Sequence, residues 1–338
     1  MQKVARKAKV IFSGIQPTGV PHLGNYIGAL RQWVQLQQSE EPETKLIYSI
    51  VDLHAITMPQ PPDQLRKRKR EAMAALLAIG IDPERATLFY QSSVPAHSEL
   101  MWILSCTASS KLDVKESSSF EDRTVGSRLK LGLFSYPVLQ AADILVHRAT
   151  HVPVGHDQQQ HIEFARECAT NFNYAYGSHL VYPDVIIPPV RRIMSLTEPT
   201  SKMSKSHKSE KSRILITDSP QDIKKKLGSA LTDSLPGVSY DVANRPGISN
   251  LLDILSIFDA RGRTPEQLAN EYSDIGPKQL KGMVTDAVVS GLHGIRDRYL
   301  ELLDAGDAHL DKIESVGAQK ARESAGDTMQ MVKSAVGF

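Results

Sequence analysis

Val10-Ile-Phe-Ser-Gly-Ile-Gln-Pro-Thr-Gly-Val-Pro-His-Leu-Gly-Asn25 is the stretch on which the reading of this chain turns. Its opening, Val10 to Ser13, is a short apolar run ending at Gly14, the pattern of a buried strand. Glycines at 14, 19 and 24 then allow a tight backbone and close approach to a flat or anionic ligand. The stretch runs straight into a helical pattern over Asn25 to Gln38, carried by Leu30, Trp33, Val34 and Leu36. The backbone N–H groups and dipole at such a helix start favour phosphate. His22 and Asn25 are three apart and can point the same way. No Walker loop and no dinucleotide fingerprint occurs at that point, and a purely structural Gly/Pro turn is the alternative.

Working outward, Leu46 to Val51 reads as a second strand, and Asp63 opens a helix through Arg66 to Ile79 that Gly80 stops. Thr87 to Tyr90 reads as a third strand. Strands alternating with helices at this spacing predict a parallel α/β sheet with ligands beyond the carboxyl ends of its strands. Pro137 suits the first turn of a helix running to about His147. Asp157 with Gln160 has the form of a capping box heading a helix whose Ile162, Ala165, Ala169 and Phe172 share a face. Pro183 to Pro189 reads as a loop or edge segment. From Ser219 onward only helical patterns remain, over Pro220–Leu227, Ser249–Phe258, Thr264–Tyr272, Pro277–Leu303 and His309–Val336. This places a boundary near residue 217, between a unit at 1–216 and an all-helical segment at 217–338.

Composition excludes several classes. The 338 residues are 41% hydrophobic and 23% charged, which is globular usage and neither fibrous nor disordered. Forty Lys+Arg against 38 Asp+Glu leave a net charge of +2, so any basic footprint for a nucleic acid must be local. Basic residues do gather at Met1–Lys9, Arg66–Arg70 and Lys202–Arg213. Two cysteines are too few for a disulfide framework or a thiolate zinc site. No apolar run reaches the roughly 18 residues that a membrane span needs.

Three further stretches could carry chemistry. In Lys202-Met-Ser-Lys-Ser206, two lysines three apart can bring ammonium groups onto a polyphosphate; a solvated basic loop is the alternative. Tyr136, Gln140 and Asp143 fall on one helical face among Ala141, Ala142, Ile144 and Leu145, so the face is either a polar pocket or a solvent stripe. Val154-Gly-His-Asp-Gln158 again sits at a helix start. His151, His156 and His161 lack the spacing of a metal-binding helix, and no metal ligand set is read.

Read jointly, G-x-Q-P-T-G with H-L-G-N, followed by K-M-S-K-S, resembles the paired signatures of class I aminoacyl-tRNA synthetases. Val51–Ile56, Tyr136–Leu145, Val152–His161 and Pro246–Leu252 look like tryptophanyl-tRNA synthetases of the bacterial and organellar type, and the likeness covers nearly the whole chain. The resemblance implies a Rossmann-like parallel-sheet catalytic domain at 1–216 and a helical, tRNA-binding segment at 217–338. The last helix would pack back on the catalytic domain. It implies activation of L-tryptophan by ATP, with Mg²⁺ entering on the ATP, and transfer to the 3′-terminal ribose of tRNA(Trp). ATP contacts are implied for Gln16, Pro17, Thr18, His22, Gly24, Asn25, Gly155, His156, Asp157 and Ile193. They extend to Lys202, Met203, Ser204, Lys205 and Ser206, with Gln16, Lys202, Lys205 and Ser206 as the catalytic set. The tryptophan pocket would comprise Phe12, Gly14, His54, Tyr136, Gln140, Asp143 and Gln158, with Asp143 accepting the indole N–H.

The resemblance also implies a homodimer. The basic start and Val51-Asp-Leu-His54 look organellar and favour the mitochondrial matrix over the cytoplasm. Two departures stand out: His156 where bacterial members carry Glu, and Glu121-Asp-Arg123 where they carry a Lys-rich loop. Three rivals share features. A tyrosine-specific synthetase has the same architecture; a nucleotidylyltransferase would not need the helical segment. A non-catalytic RNA-binding relative would be expected to lose Lys202, Lys205 or Asp143.

Overall fold

The computed structural model describes residues 9–108, 130–155, 159–187 and 192–338. In chain order, β1 (Val10–Ile15) leads to α1 (Leu23–Asn25), which continues through a π-type turn at Tyr26–Leu30 into α2 (Arg31–Ser39). Then come β2 (Lys45–Ile50), α3 (Asp52–Ala55), α4 (Pro62–Ala78), β3 (Thr87–Tyr90) and α5 (Ala96–Ser105). They are followed by α6 (Leu131–Leu145), β4 (His151–Pro153), α7 (Gln159–Tyr176) and β5 (Asp184–Ile186).

The strands form one five-stranded sheet in the order β3-β2-β1-β4-β5, and every pairing is parallel. Alternation on β1 sends Ile11 into one apolar layer, with Leu76 and Leu30, and Phe12 into the other, with Ile144 and Phe172. Both faces are therefore covered, as a parallel sheet requires. Chain order reverses between β1 and β4, so the crevice beyond their carboxyl ends is the natural ligand site.

Two elements differ from the sequence pattern. Helix α6 begins at Leu131 and carries Pro137 inside it, where a helix start at Pro137 is expected. The ring sits a turn and a half in, and the helix tolerates the lost N–H. The expected edge segment at 183–189 contributes β5, while β4, only three residues long, has no signal of its own and is recruited by β1. The expected capping box at Asp157 lies outside the described residues.

After β5 the described chain holds α8 (Pro220–Gly228), α9 (Pro246–Phe258), α10 (Pro265–Glu271), α11 (Pro277–Gly291), α12 (Ile295–Asp304) and α13 (Asp307–Val336). The single helix expected over Pro277–Leu303 is two, because Gly294 adopts φ +78°, which ends one helix and starts the next. The long α13 returns to the sheet: a Cβ on Gly317 would sit 1.8 Å from the Leu88 carbonyl oxygen, so only glycine lets the backbones meet. Helix α9 clamps the chain ahead of the lysine-rich loop. Asn250 accepts from Met194 N–H at 2.9 Å and donates to its carbonyl at 3.1 Å. No described helix is long and apolar enough to cross a membrane.

Candidate active site

The glycine-rich turn leaves β1 at the crevice, and His22 caps the helix that follows. Its Nδ1 accepts from Asn25 N–H at 3.2 Å, while Asn25 Oδ1 accepts from His22 N–H at 3.3 Å. An accepting Nδ1 puts the ring proton on Nε2. Burial, then the positive charges of Lys205, Lys202 and Arg213, push the pKa of His22 down to about 4. It is a neutral donor at physiological pH.

The lysine-rich loop packs onto the same turn. Met203 is buried beside Gly24, and its N–H donates to the Ile193 carbonyl at 3.1 Å. Lys205 Nζ donates to Thr18 Oγ1 at 3.0 Å and to the Gly19 carbonyl at 2.7 Å. Leu23 N–H donates to the Ile214 carbonyl at 2.7 Å, and Ile216 N–H to that of Pro21 at 3.1 Å. The two motifs, far apart in sequence, are thus laced together by backbone. Gln16, Thr18, Lys202 and Ser206 are exposed at the rim, Pro17 is buried, and Ser204 and Ser206 hydroxyls bond each other at 2.8 Å. Gly155 lies two residues past the end of β4, whose parallel pairing with β1 puts it on the carboxyl side of the sheet. His156, Asp157 and Gln158, and the stretch Glu121–Arg123, lie outside the described residues.

The second half of the site is built around Asp143 on α6, which is 1% exposed. Its Oδ1 accepts from Gln91 Nε2 at 2.6 Å and His97 Nδ1 at 2.7 Å, and its Oδ2 accepts from His54 Nε2 at 2.8 Å. Burial alone would raise its pKa, but the hydrogen bonds from His54 and His97 prevail and hold it at about 2. The carboxylate is ionised. Tyr136 stands edge-on to His54 at 6.5 Å and to His161 at 5.9 Å, while Gln140, half-buried, lies one turn from each of Tyr136 and Asp143. Phe12 stacks on His147 at 5.7 Å, in the layer behind Asp143. Gly14 is exposed at the end of β1, where a Cβ would crowd Val51 at 2.8 Å.

Sequence spacing groups Tyr136, Gln140 and Asp143, the resemblance puts His54 with them, and the structure brings His54 onto the Asp143 carboxylate. Gln91, His97, His147 and His161 were missed. A polar residue directly after strand β3, at the carboxyl edge of a parallel sheet, was the available signal for Gln91; His97 lies seven residues past the strand, in α5, without one.

Residues 5–293 match the family model described as tRNA synthetases class I (W and Y). The chain is 42% identical to the mitochondrial tryptophan--tRNA ligase of Schizosaccharomyces pombe, over 97% of this chain and 95% of that protein. It is 43% identical to the tryptophan--tRNA ligase of Bacillus subtilis, over 98% of each. Among solved structures, Campylobacter jejuni tryptophanyl-tRNA synthetase complexed with ADP and tryptophan superposes with a TM-score of 0.80 at 33% identity. That superposition covers 97% of this chain and all of the other. A parallel sheet with its glycine-rich turn and lysine loop at the crevice, and likeness end to end, agree: this chain belongs to the class I tRNA synthetases, among the tryptophan--tRNA ligases of bacteria and mitochondria.

Proposed function

We propose that the chain activates L-tryptophan with ATP and transfers it to the 3′-terminal ribose of tRNA(Trp). The observation that carries this reading is the state of Asp143. An ionised carboxylate has about four acceptor positions; Gln91, His97 and His54 fill three, and one remains for an indole N–H. Phenylalanine would leave that position empty, and sites of this kind discriminate by roughly 10⁴–10⁵.

The chemistry needs little from side chains as acids or bases. The tryptophan carboxylate, already ionised, attacks the α-phosphorus; a C–O–P bond forms and pyrophosphate leaves with the electron pair of the broken P–O bond. His22 Nε2–H, the amides at the start of α1 and the ammonium groups of Lys202 and Lys205 stabilise the charge that develops on the phosphates. Ile193 and Gly155 bound the nucleoside side, with Gln16 and Thr18 at the rim and Asn25 fixing His22. Mg²⁺ would enter as a passenger on the triphosphate and neutralise phosphate charge there. In the second step a ribose hydroxyl attacks the adenylate carbonyl, and AMP leaves, its phosphate taking the proton.

The helical segment at 217–338 serves the anticodon side of the tRNA, and the exposed side chains Ile56, Met58, Trp102 and Leu131 supply a homodimer face. The mitochondrial matrix is the favoured compartment, supported by the Schizosaccharomyces pombe relative; imaging of the tagged chain distinguishes it from the cytoplasm. ATP–pyrophosphate exchange with each of the twenty amino acids tests the activity. Exchange with tryptophan, and charging of a tRNA bearing the tryptophan anticodon, are expected; exchange driven by tyrosine overturns the assignment.

A further inference from the structure

A file of hydrogen-bonded side chains runs from α13 to Asp143, and no step described above uses it. Ser324 Oγ lies 3.2 Å from His147 Nδ1, His147 Nε2 lies 3.3 Å from His97 Nε2, and His97 Nδ1 lies 2.7 Å from Asp143 Oδ1. Asp143, His97 and His147 are buried, and Ser324 is half-buried on the face of α13 that meets them.

The protons in this file can be placed one after another. An ionised carboxylate only accepts, so His97 carries its proton on Nδ1. In the form of His97 that carries a single proton, Nε2 is bare and His147 donates to it from its own Nε2 at 3.3 Å. His147 is left with a bare Nδ1, to which the Ser324 hydroxyl donates. Burial holds the pKa of His147 well below the usual histidine range, so its ring is neutral. Phe12 at 5.7 Å and Phe89 at 5.8 Å enclose its ring.

The direction of donation matters for the carboxylate. If His147 no longer donates, Nε2 of His97 becomes a buried acceptor without a partner, and only the carboxylate holds the ring. The ring can then turn toward another donor and draw Nδ1–H out of line with Oδ1. The carboxylate would lose a donor on Oδ1 and its fixed plane with it, and the acceptor position on Oδ2 would lose its aim.

We infer that His97 and His147, oriented by Ser324 of α13, are positioning residues that aim Asp143 at the indole N–H and so make the C-terminal helix part of the amino-acid selector. This rests on the reading of Asp143 as the indole acceptor. The test compares kcat/KM for tryptophan with that for 3-(benzothiophen-3-yl)alanine, which has sulfur in place of the N–H, in pyrophosphate exchange. His147→Phe is expected to raise KM for tryptophan about tenfold. The benzothiophene substrate and KM for ATP should change less than twofold. Ser324→Ala, a mild change on a half-buried site, should shift the ratio in the same direction, and His147→Gln, whose amide can still donate, should restore it.

Equal losses with both substrates, or none, overturn the proposal. Asp143→Asn separates it from the parent reading. If that variant keeps full preference for tryptophan, the indole assignment fails. If it abolishes the preference while His147→Phe and Ser324→Ala do not, only the file fails. ¹⁵N spectra of histidine-labelled protein give an independent readout: His97 protonated on Nδ1 and His147 on Nε2 are expected, and the opposite tautomers overturn the proposal.

Discussion

Lys205 shows how one side chain can be poised by what it rests on. Held against the glycine-rich turn, it has its pKa pushed down to about 8 by burial and then by the charge of Arg68. It therefore loses its proton as pH rises through about 8, and kcat/KM for ATP in pyrophosphate exchange should fall over that range. Lys205→Arg keeps its charge and should remove the descending limb; a limb that persists belongs to another group. Lys205→Ala should slow adenylate formation at least tenfold with KM for tryptophan unchanged, as a transition-state contact requires. The histidine that caps α1 sets a different dependence. Its folded pKa of about 4 lies below the ordinary 6.5, so the unfolded chain takes up that proton first. Stability should fall as pH drops from about 6.5 to about 4. His22→Asn, which keeps a cap, should flatten the urea midpoint against pH over that window. Asp143 adds a stabilisation that is full above its unfolded value and lost as pH falls through about 4 to 2. At this scale the sequence revealed residues whose spacing is local: Tyr136, Gln140 and Asp143 lie on one helix, and His22 and Asn25 on one cap. Gln91 and His97 reach Asp143 from elements that share no period with α6, so spacing does not group them; His147 follows Asp143 by four residues and shares its helical register, but an apolar surrounding gave it no polar face.

Helix packing around the sheet was legible where apolar residues recur at helical spacing, as in α4, α9 and α13. It was illegible where a single glycine decides, as at Gly294, or where a strand is three residues long and exists because its neighbour offers a ladder, as in β4. Helix α13 offers a clean comparison of two of its glycines. Gly317→Ala drives a methyl into the Leu88 carbonyl, a backbone atom that cannot turn aside. A loss of about 3 kcal/mol or more is expected, read as a lowered thermal midpoint. Gly326→Ala meets nothing within 4 Å and should be neutral or raise stability by up to about 1 kcal/mol. Equal effects at both sites would mean that α13 does not dock on β3 as described.

For the molecule as a whole, near-neutral charge hid how the basic residues are used. Of the run Arg66–Arg70, Arg66 pairs with Asp63, Lys69 with Asp52 at 2.5 Å, and Arg70 with Asp307 at the start of α13. With Lys67 against Glu71 at 3.8 Å, four of the five basic side chains of that run are engaged by acids of the same chain. Thr57, between the exposed Ile56 and Met58, faces Gly132 next to Leu131 at the start of α6, and Trp102 projects from α5, which packs on α6. In sedimentation velocity the parent chain is expected to run as a dimer and Trp102→Glu with Leu131→Glu as a monomer. An unchanged dimer would place the interface elsewhere. The resting contacts of Lys205 have a further consequence at this scale. Its ammonium is already satisfied by Thr18 and Gly19, so an arriving anion must outbid two hydrogen bonds before it gains an ion pair. A lone inorganic phosphate gains little by that exchange, whereas a triphosphate recruits Lys202, His22 and the helix amides in the same event. Occupancy should rise steeply with the number of linked phosphates, and the enzyme would be shielded from the abundant small anions around it without any door to shut.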